Sequence, residues 1–171
     1  MDNIEMIKGW LKLALLDWRA IEVLSPQEHK GVIIYHAQQF VEKLCKAIIS
    51  SLGFEPPKTH NPSQIIDDLI SSVKLGELKL NLEKKVMSIF EHIVSLARTL
   101  EDEKTRPRYG IRYLDKIIPP DEFYSIDQVK ILLSDAVGVA ELTAKYFELI
   151  GLCSELEDLC GELYAIGGKR F

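Results

Sequence analysis

Between Val32 and Pro62 the chain commits to a helix and then to its end. Ile33, Ile34, Ala37, Val41, Leu44, Ile48 and Leu52 recur mostly at intervals of three and four residues, the rhythm of one buried helical face. Burying each large side chain of such a face contributes about 1.5–3 kcal/mol before conformational entropy is set against it. Gly53 offers a stop, and Pro56-Pro57 prevents an immediate restart. Opposite the apolar stripe runs a polar one: Tyr35, Gln39, Glu42 and Lys46. One account of it is a solvated face on which Glu42 and Lys46 form an i,i+4 pair of about 0.2–0.5 kcal/mol.

The same periodicity recurs on both sides of this stretch. A first helix is predicted over Asn3–Leu24, with Ile4, Ile7, Leu11, Ala14, Leu15, Trp18 and Ile21 as its buried stripe. Asp2 or Asn3 can cap it, and Ser25-Pro26 ends it. Trp10 and Trp18 are assigned to core packing. After the short connection Gln27–Gly31, the Val32 helix should pack antiparallel to the first. A third helix is predicted over Ser63–Val73 and a fourth over Asn81–Leu100. A fifth runs from Ser125 to about Ile150, opened by Ser125 and Gln128 in capping-box spacing. Leu152–Ile166 continues in helical rhythm, and the last residues, Gly167–Phe171, are expected to fray. There is no internal repeat, no low-complexity tract and no alternating run long enough for a sheet. The expected fold is all-α: an up-and-down antiparallel bundle of about five helices with an extra C-terminal helical segment. Residues 1–150 form the bundle, and 151–171 extend the same domain.

The 171 residues suit one domain with a sizeable core. A net charge of −5 argues against a protein coated for general nucleic-acid binding. The N-terminus lacks a basic start followed by an apolar core, so no secretory signal is visible. The most apolar long window, Ile131–Cys153, carries Asp135, Glu141, Lys145 and Glu148, which argues against a membrane span. The three cysteines, Cys45, Cys153 and Cys160, lack the closely spaced pairs of a zinc site. Reduced thiols in a cytoplasmic protein are the simplest expectation. No metal and no cofactor are expected.

Against this acidic background one segment stands out. Lys104, Arg106, Arg108, Arg112 and Lys116 fall within a proline-containing stretch that lacks helical rhythm, with Asp115 as the one acid among them. Arginines bind phosphate bidentately, and Tyr109 and Tyr113 can stack on bases. The functional reading is a phosphate, nucleotide or RNA-strand site. The alternative is a loop fastened by ion pairs to its own acidic neighbours, Glu101, Asp102 and Glu103. His60, in Thr59-His60-Asn61-Pro62, has a bland reading of its own as a turn histidine bonding the backbone. The phosphate cradles G-x-x-x-x-G-K-[ST] and G-x-G-x-x-G are absent, as is the G-x-S-x-G elbow.

The ordered set Tyr35, Ala37, Gln38, Gln39, Glu42, Lys43, Lys46, Ala47, Gly53, Pro57, Thr59 and His60 resembles the HEPN domain, as do Trp10 and Ala14 upstream. Ala97-Arg98-x-Leu100 and Arg106-Pro107-Arg108-Tyr109 downstream extend the resemblance over roughly residues 3–150. The family comprises small all-helical proteins associated with nucleotide and RNA biology. The resemblance implies a homodimer. It also implies a minimal nucleotidyltransferase as partner, in a two-component toxin–antitoxin system. Its ribonuclease members share an Arg followed four to six residues later by a His, which act in metal-independent cleavage. Here the histidines are His29, His36, His60 and His92, and the arginine-rich loop has none downstream. Arg19 precedes His29 by too much, and Arg98 follows His92. The motif is missing, so no catalytic residue is assigned. The expected function is a non-catalytic module holding a nucleotide or RNA phosphate with Arg98, Arg106, Arg108, Tyr109 and Arg112, joined by Lys46 and His60. The alternatives are a degenerate ribonuclease, with His60 approaching Arg98 or Arg106 in space, and a purely structural dimerisation scaffold.

Overall fold

α2 (Lys30–Ser51) is the helix the others surround: fourteen of its 22 residues are buried, more than the single stripe that a surface helix hides. The computed structural model describes residues 3–80 and 82–171. Asp2, one of the two predicted caps, and Asn81, the predicted start of the fourth helix, lie outside the described residues. Around α2 stand α1 (Asn3–Glu22), α3 (Pro62–Lys74), α4 (Lys84–Glu101) and α7 (Ile126–Leu149). Together they are the all-α bundle that the periodicity predicts. No helix among the described residues is long and apolar enough to cross a membrane.

Side-chain pairs set the direction of each helix. Asn3 Nδ2 donates to Ser50 O at 2.8 Å, and Trp18 packs on Phe40 with ring centroids 5.1 Å apart. α1 and α2 are therefore antiparallel, as expected. Lys30 Nζ reaches Tyr124 O at one end of α2, and Ser51 Oγ meets Tyr146 Oη at the other, so α7 runs parallel to α2. Phe90 stacks edge-on against Tyr146, and Thr99 Oγ1 donates to Asp135, which orients α4 against α7. Ser63 bonds Glu101, and Lys74 bonds Glu91, which orients α3 against α4. α3 therefore runs the same way as α2. The connection between them, residues 52–61, doubles back along α2 before α3 begins.

The Ser125 capping box is formed: Gln128 N donates to Ser125 Oγ at 3.1 Å, and Ser125 N donates to Gln128 Oε1 at 2.8 Å. Gly31 is demanded by a close approach. A Cβ there would lie 2.3 Å from Pro120 Cβ and 2.8 Å from Pro107 O. The start of α2 thereby presses against the proline-rich segment.

Three expectations are corrected. The stretch between α4 and α7 is not irregular: it holds α5 (Arg106–Tyr109), a hairpin of β1 (Ile111–Tyr113) and β2 (Lys116–Ile118), and α6 (Pro120–Phe123). Strands of three residues are too short for an alternating pattern to register. Leu114 turns the hairpin at φ 53°, a left-handed conformation that a sequence advertises with glycine or asparagine rather than leucine. Second, Cys153 and Cys160 are not reduced thiols but a disulfide, with Cα atoms 5.7 Å apart; Cys45 alone is free, and it is buried. Third, helical structure does not resume at Leu152. Gly151, at φ 76°, ends the run from α7, a turn follows, and α8 covers Leu159–Gly167. Beyond it the chain is held: Lys169 pairs with Glu22 at 2.9 Å, Arg170 bonds Gly167 O, and Phe171 meets the edge of Trp18 at 6.4 Å. The tail folds back on the bundle.

Candidate functional site

The returning 52–61 connection and the α4–α5 corner leave a cleft of about 170 Å³ over α2. Its floor is α2, which supplies Tyr35, Gln38, Gln39 and Glu42. These are spaced three and four apart, so they fall on one helical face. One wall is His60 and Asn61; the other is Glu101, Lys104, Thr105 and Arg108.

Glu42 organises the first wall. It is only 8% exposed, and burying a carboxylate costs several kcal/mol unless it is paired and hydrogen-bonded. It accepts from Lys46 Nζ at 2.7 Å, from His60 Nδ1 at 3.1 Å and from Gln39 Nε2 at 3.3 Å. With Nδ1 donating to the carboxylate, the remaining ring nitrogen of His60 is free for a ligand, and the side chain is 79% exposed. Lys46 is equally buried at 8%, and its ammonium lies 5.1 Å from the centroid of Trp10. The solvated-face account of the polar stripe is therefore corrected at Glu42 and Lys46: this pair is an interior ion pair that aims a histidine. His60 is likewise no simple backbone-bonding turn residue, because its partner is the α2 carboxylate.

The opposite wall is cationic. The Arg108 guanidinium carbon stands 5.3 Å from the Tyr35 ring centroid and 5.4 Å from that of Tyr109, on cation–π contacts. Among the described residues no carboxylate pairs with it. Lys104, at φ 51°, occupies the corner between α4 and α5. Gln38 Nε2 fastens that corner by donating to Leu100 O at 2.8 Å and Lys104 O at 3.1 Å. Glu101, at the base of this wall, accepts from Ser63 N at 3.1 Å and from Ser63 Oγ. Burial pushes its carboxyl above the usual range, opposed by the Ser63 hydrogen bonds and by Arg98.

Of the residues predicted from the sequence, His60 and Arg108 line this cleft, and Tyr109 borders it by stacking on Arg108. Lys46 stands behind the wall, touching Glu42. The other arginines are turned elsewhere. Arg98 is engaged with Asp67 at 2.6 Å and Gln64 at 3.2 Å on the outside of α3 and α4. Arg106 bonds Asp102 O at 2.9 Å and pairs with Glu103 at 3.3 Å. Arg112 lies on the exposed hairpin with Nε 3.5 Å from Leu114 O. For Arg106 the ion-pair account of the loop is the one that describes its contacts. The sequence reading left out Glu42, Tyr35 and Gln38 as site residues, and counted Lys104 only as part of the basic segment. The spacing of Tyr35, Gln38 and Glu42 on a single face was the signal that could have raised three of them.

A second histidine–carboxylate pair lies on the other flank of α2. His36 Nδ1 is 2.8 Å from Asp17 Oδ1, and Lys43 closes on the other oxygen. Asp17 is buried between α1 and α2, and none of these residues lines the cleft. This group ties two helices together.

Residues 7–147 match the family model described as the HEPN domain. A protein of Methanocaldococcus jannaschii named "Putative toxin MJ1304" is 29% identical over 150 residues, which cover 85% of this chain and 91% of that relative. No solved structure matches the chain. A family model that runs from the first helix to the end of α7 spans the whole bundle, and with it the cleft and both its walls: the chain belongs to the HEPN domain family.

Proposed function

We propose that this chain is the HEPN component of a toxin–antitoxin type system, and that it holds a nucleotide or RNA phosphate in the cleft over α2 without cleaving it. The observation that carries the reading is Arg108: an arginine with no carboxylate partner among the described residues, braced between two tyrosine rings at a cleft, in a chain of net charge −5. A braced guanidinium loses little further freedom when it binds a phosphate, and tyrosine faces beside it can receive a base. Lys104 and His60 add donors from the two sides. The toxin name of the M. jannaschii relative supports the assignment to such a system, in which a minimal nucleotidyltransferase is the proposed partner. Thermal-shift and calorimetric titration with nucleotides, short RNAs and inorganic phosphate test it. Binding that is lost in Arg108→Ala supports the cleft; no shift with any of them removes simple phosphate binding.

One observation favours a second reading, metal-independent RNA cleavage. Glu42 presents His60 with one ring nitrogen open, on the wall facing Arg108. A histidine held by a carboxylate can take the proton of a 2′-hydroxyl as that oxygen bonds to phosphorus, while an arginine stabilises the charge gathering on the phosphate; the P–O5′ bond then breaks and the 5′-oxygen leaves with the proton returned by the imidazolium, giving a 2′,3′-cyclic phosphate and a 5′-hydroxyl. The arginine and histidine would then come together in space, with the histidine earlier in the chain. Cleavage of RNA in the presence of a chelator, abolished by His60→Ala and by Arg108→Ala, distinguishes this reading from binding alone.

A further inference from the structure

Two consecutive glutamines, Gln38 and Gln39, stand on the floor of the cleft over α2. A glutamine amide carries donors on its nitrogen and an acceptor on its oxygen, and its partners decide which end faces where. Gln38 Nε2 donates to Leu100 O at 2.8 Å and to Lys104 O at 3.1 Å. Backbone carbonyls only accept, so the nitrogen has to face them. Both of its N–H groups are spent there, and what Gln38 has left to offer is its carbonyl oxygen. Gln39 Nε2 donates to Glu42 Oε2 at 3.3 Å. The reversed amide would set an oxygen against a buried carboxylate, so this orientation is fixed as well. Neither glutamine oxygen accepts a hydrogen bond among the described residues.

Glu101 adds a third acceptor. It lines the same cleft and is the next residue after the Leu100 carbonyl that anchors Gln38. Its carboxylate accepts from Ser63 N at 3.1 Å and from Ser63 Oγ, and it forms no ion pair among the described residues. Each carboxylate oxygen keeps a further lone pair. The cations Lys104 and Arg108 follow it in the chain, at the α4–α5 corner and on α5. A molecule that fits here is therefore two-ended: anionic where it meets Lys104 and Arg108, and rich in N–H donors where it meets Gln38, Gln39 and Glu101. An acceptor that a ligand covers without giving it a donor loses its water and gains nothing in return, so the donors of the ligand decide which ligand binds. The edges of the four RNA bases differ in this respect. Adenine and cytosine set one amino group beside ring acceptors, and uracil has a single ring N–H between two carbonyls. Guanine alone presents two adjacent donors, N1–H and the 2-amino group. Its O6 accepts, and the side-chain amide of Asn61 on the facing wall, which has no partner among the described residues, has a donor to give it.

We propose that the cleft selects guanine: Gln38, Gln39 and Glu101 accept from the N1–H and 2-amino edge of a guanine base whose phosphate lies at Arg108. This rests on the reading of the cleft as a nucleotide or RNA phosphate site, and adds to it the base that the ligand carries, either in a free guanine nucleotide or in a guanine within an RNA strand.

Calorimetric titration of the full chain with the 5′-monophosphates of guanosine, adenosine, cytidine, uridine and inosine tests the selection. The guanosine nucleotide should bind about 10-fold or more tightly than those of adenosine, cytidine and uridine. Inosine monophosphate keeps N1–H and O6 and lacks only the 2-amino group, so it should bind about 10-fold more weakly than the guanosine nucleotide. Gln39→Met keeps the length of the side chain and removes its oxygen, and should bring the guanosine and adenosine nucleotides toward equal affinity. Gln38→Met should do the same. Because Gln38 also fastens the α4–α5 corner, its fold is checked by circular dichroism, and if it does not fold, Gln39→Met and the inosine comparison carry the test. A short RNA with one guanine, set against its adenine counterpart, should show the same preference, and its affinity relative to the free guanosine nucleotide tells which of the two sources the cleft takes. Equal affinity for all the nucleotides, lost throughout in Arg108→Ala, overturns the selection of guanine and leaves the phosphate reading standing. No binding of any nucleotide defeats both. A preference for another base, inosine binding as well as guanosine, or a guanine preference unchanged in every glutamine variant that folds also overturns the proposal.

Discussion

Glu42 accepts a hydrogen bond from His60 Nδ1 at 3.1 Å, across eighteen residues of chain. The contact exists because residues 52–61 double back along α2 instead of dropping straight into α3. It turns an interior ion pair into the support of an exposed histidine. Removing the carboxylate should therefore do two things at once. Glu42→Ala leaves Lys46 buried without its counter-charge, and breaking a buried pair from one side costs about 3–5 kcal/mol. Urea unfolding should show that loss. His60→Ala, at an exposed side chain, should stay within about 1 kcal/mol of the native protein while weakening phosphate binding in titration. If both variants lose stability equally, His60 is structural.

Arg108 should be the one arginine of the basic segment whose removal matters to ligand binding. Charge-assisted hydrogen bonds contribute about 1.5–3 kcal/mol, so Arg108→Ala should raise the dissociation constant for a phosphate ligand roughly 10- to 100-fold. Arg108→Lys should recover little, because a lysine has no planar guanidinium to set against the Tyr35 and Tyr109 rings and does not bind bidentately. Arg106→Ala and Arg112→Ala, whose guanidiniums contact neighbouring backbone carbonyls, should bind as the native protein does. Calorimetric titration of the four variants separates these outcomes.

Glu101 sets a pH dependence whose sign follows from its burial. Burial holds its carboxyl above the ordinary carboxylate range in the folded state, so the folded protein holds that proton more tightly than the unfolded chain does. The group's contribution to stability therefore grows as pH falls through its folded pKa, and it is complete below about 4.5. At neutral pH its charge is a burden. Glu101→Gln, which keeps an acceptor for Ser63, removes the titration. The melting temperature of the native protein relative to this variant should rise between pH 7 and pH 4.5; a constant difference would exclude the coupling.

The Cys153–Cys160 bridge closes the turn between α7 and α8. A short closed loop of this kind stabilises by about 2–3 kcal/mol in the chain-entropy account. Reductant, or Cys153→Ser/Cys160→Ser, should lower the unfolding midpoint accordingly without moving the cleft. Alkylation of the denatured, unreduced protein should label Cys45 alone, and all three cysteines after reduction. Three labels without reductant would remove the bridge.

What the sequence determined by itself is the set of long helices and the core they share. α1, α2, α3, α4 and α7 each carry a repeat of three and four that is complete within one segment, so the burial of Leu11, Ile48, Ile66, Phe90 or Val129 follows from local spacing. The Ser125 capping box and the resemblance carried by residues of α2 were legible for the same reason. The tertiary structure alone decided the site. Gln38 reaches Lys104 across 66 residues and Glu42 reaches His60 across eighteen, and no local period encodes either pairing. The basic segment shows why composition misleads there: five cations lie close in sequence, yet α5 and the hairpin turn Arg106 and Arg112 away and leave Arg108 between two tyrosines. Direction in space depends on backbone turns a few residues long, such as the left-handed Lys104 and Leu114, and these are settled by the packing of the helices on either side.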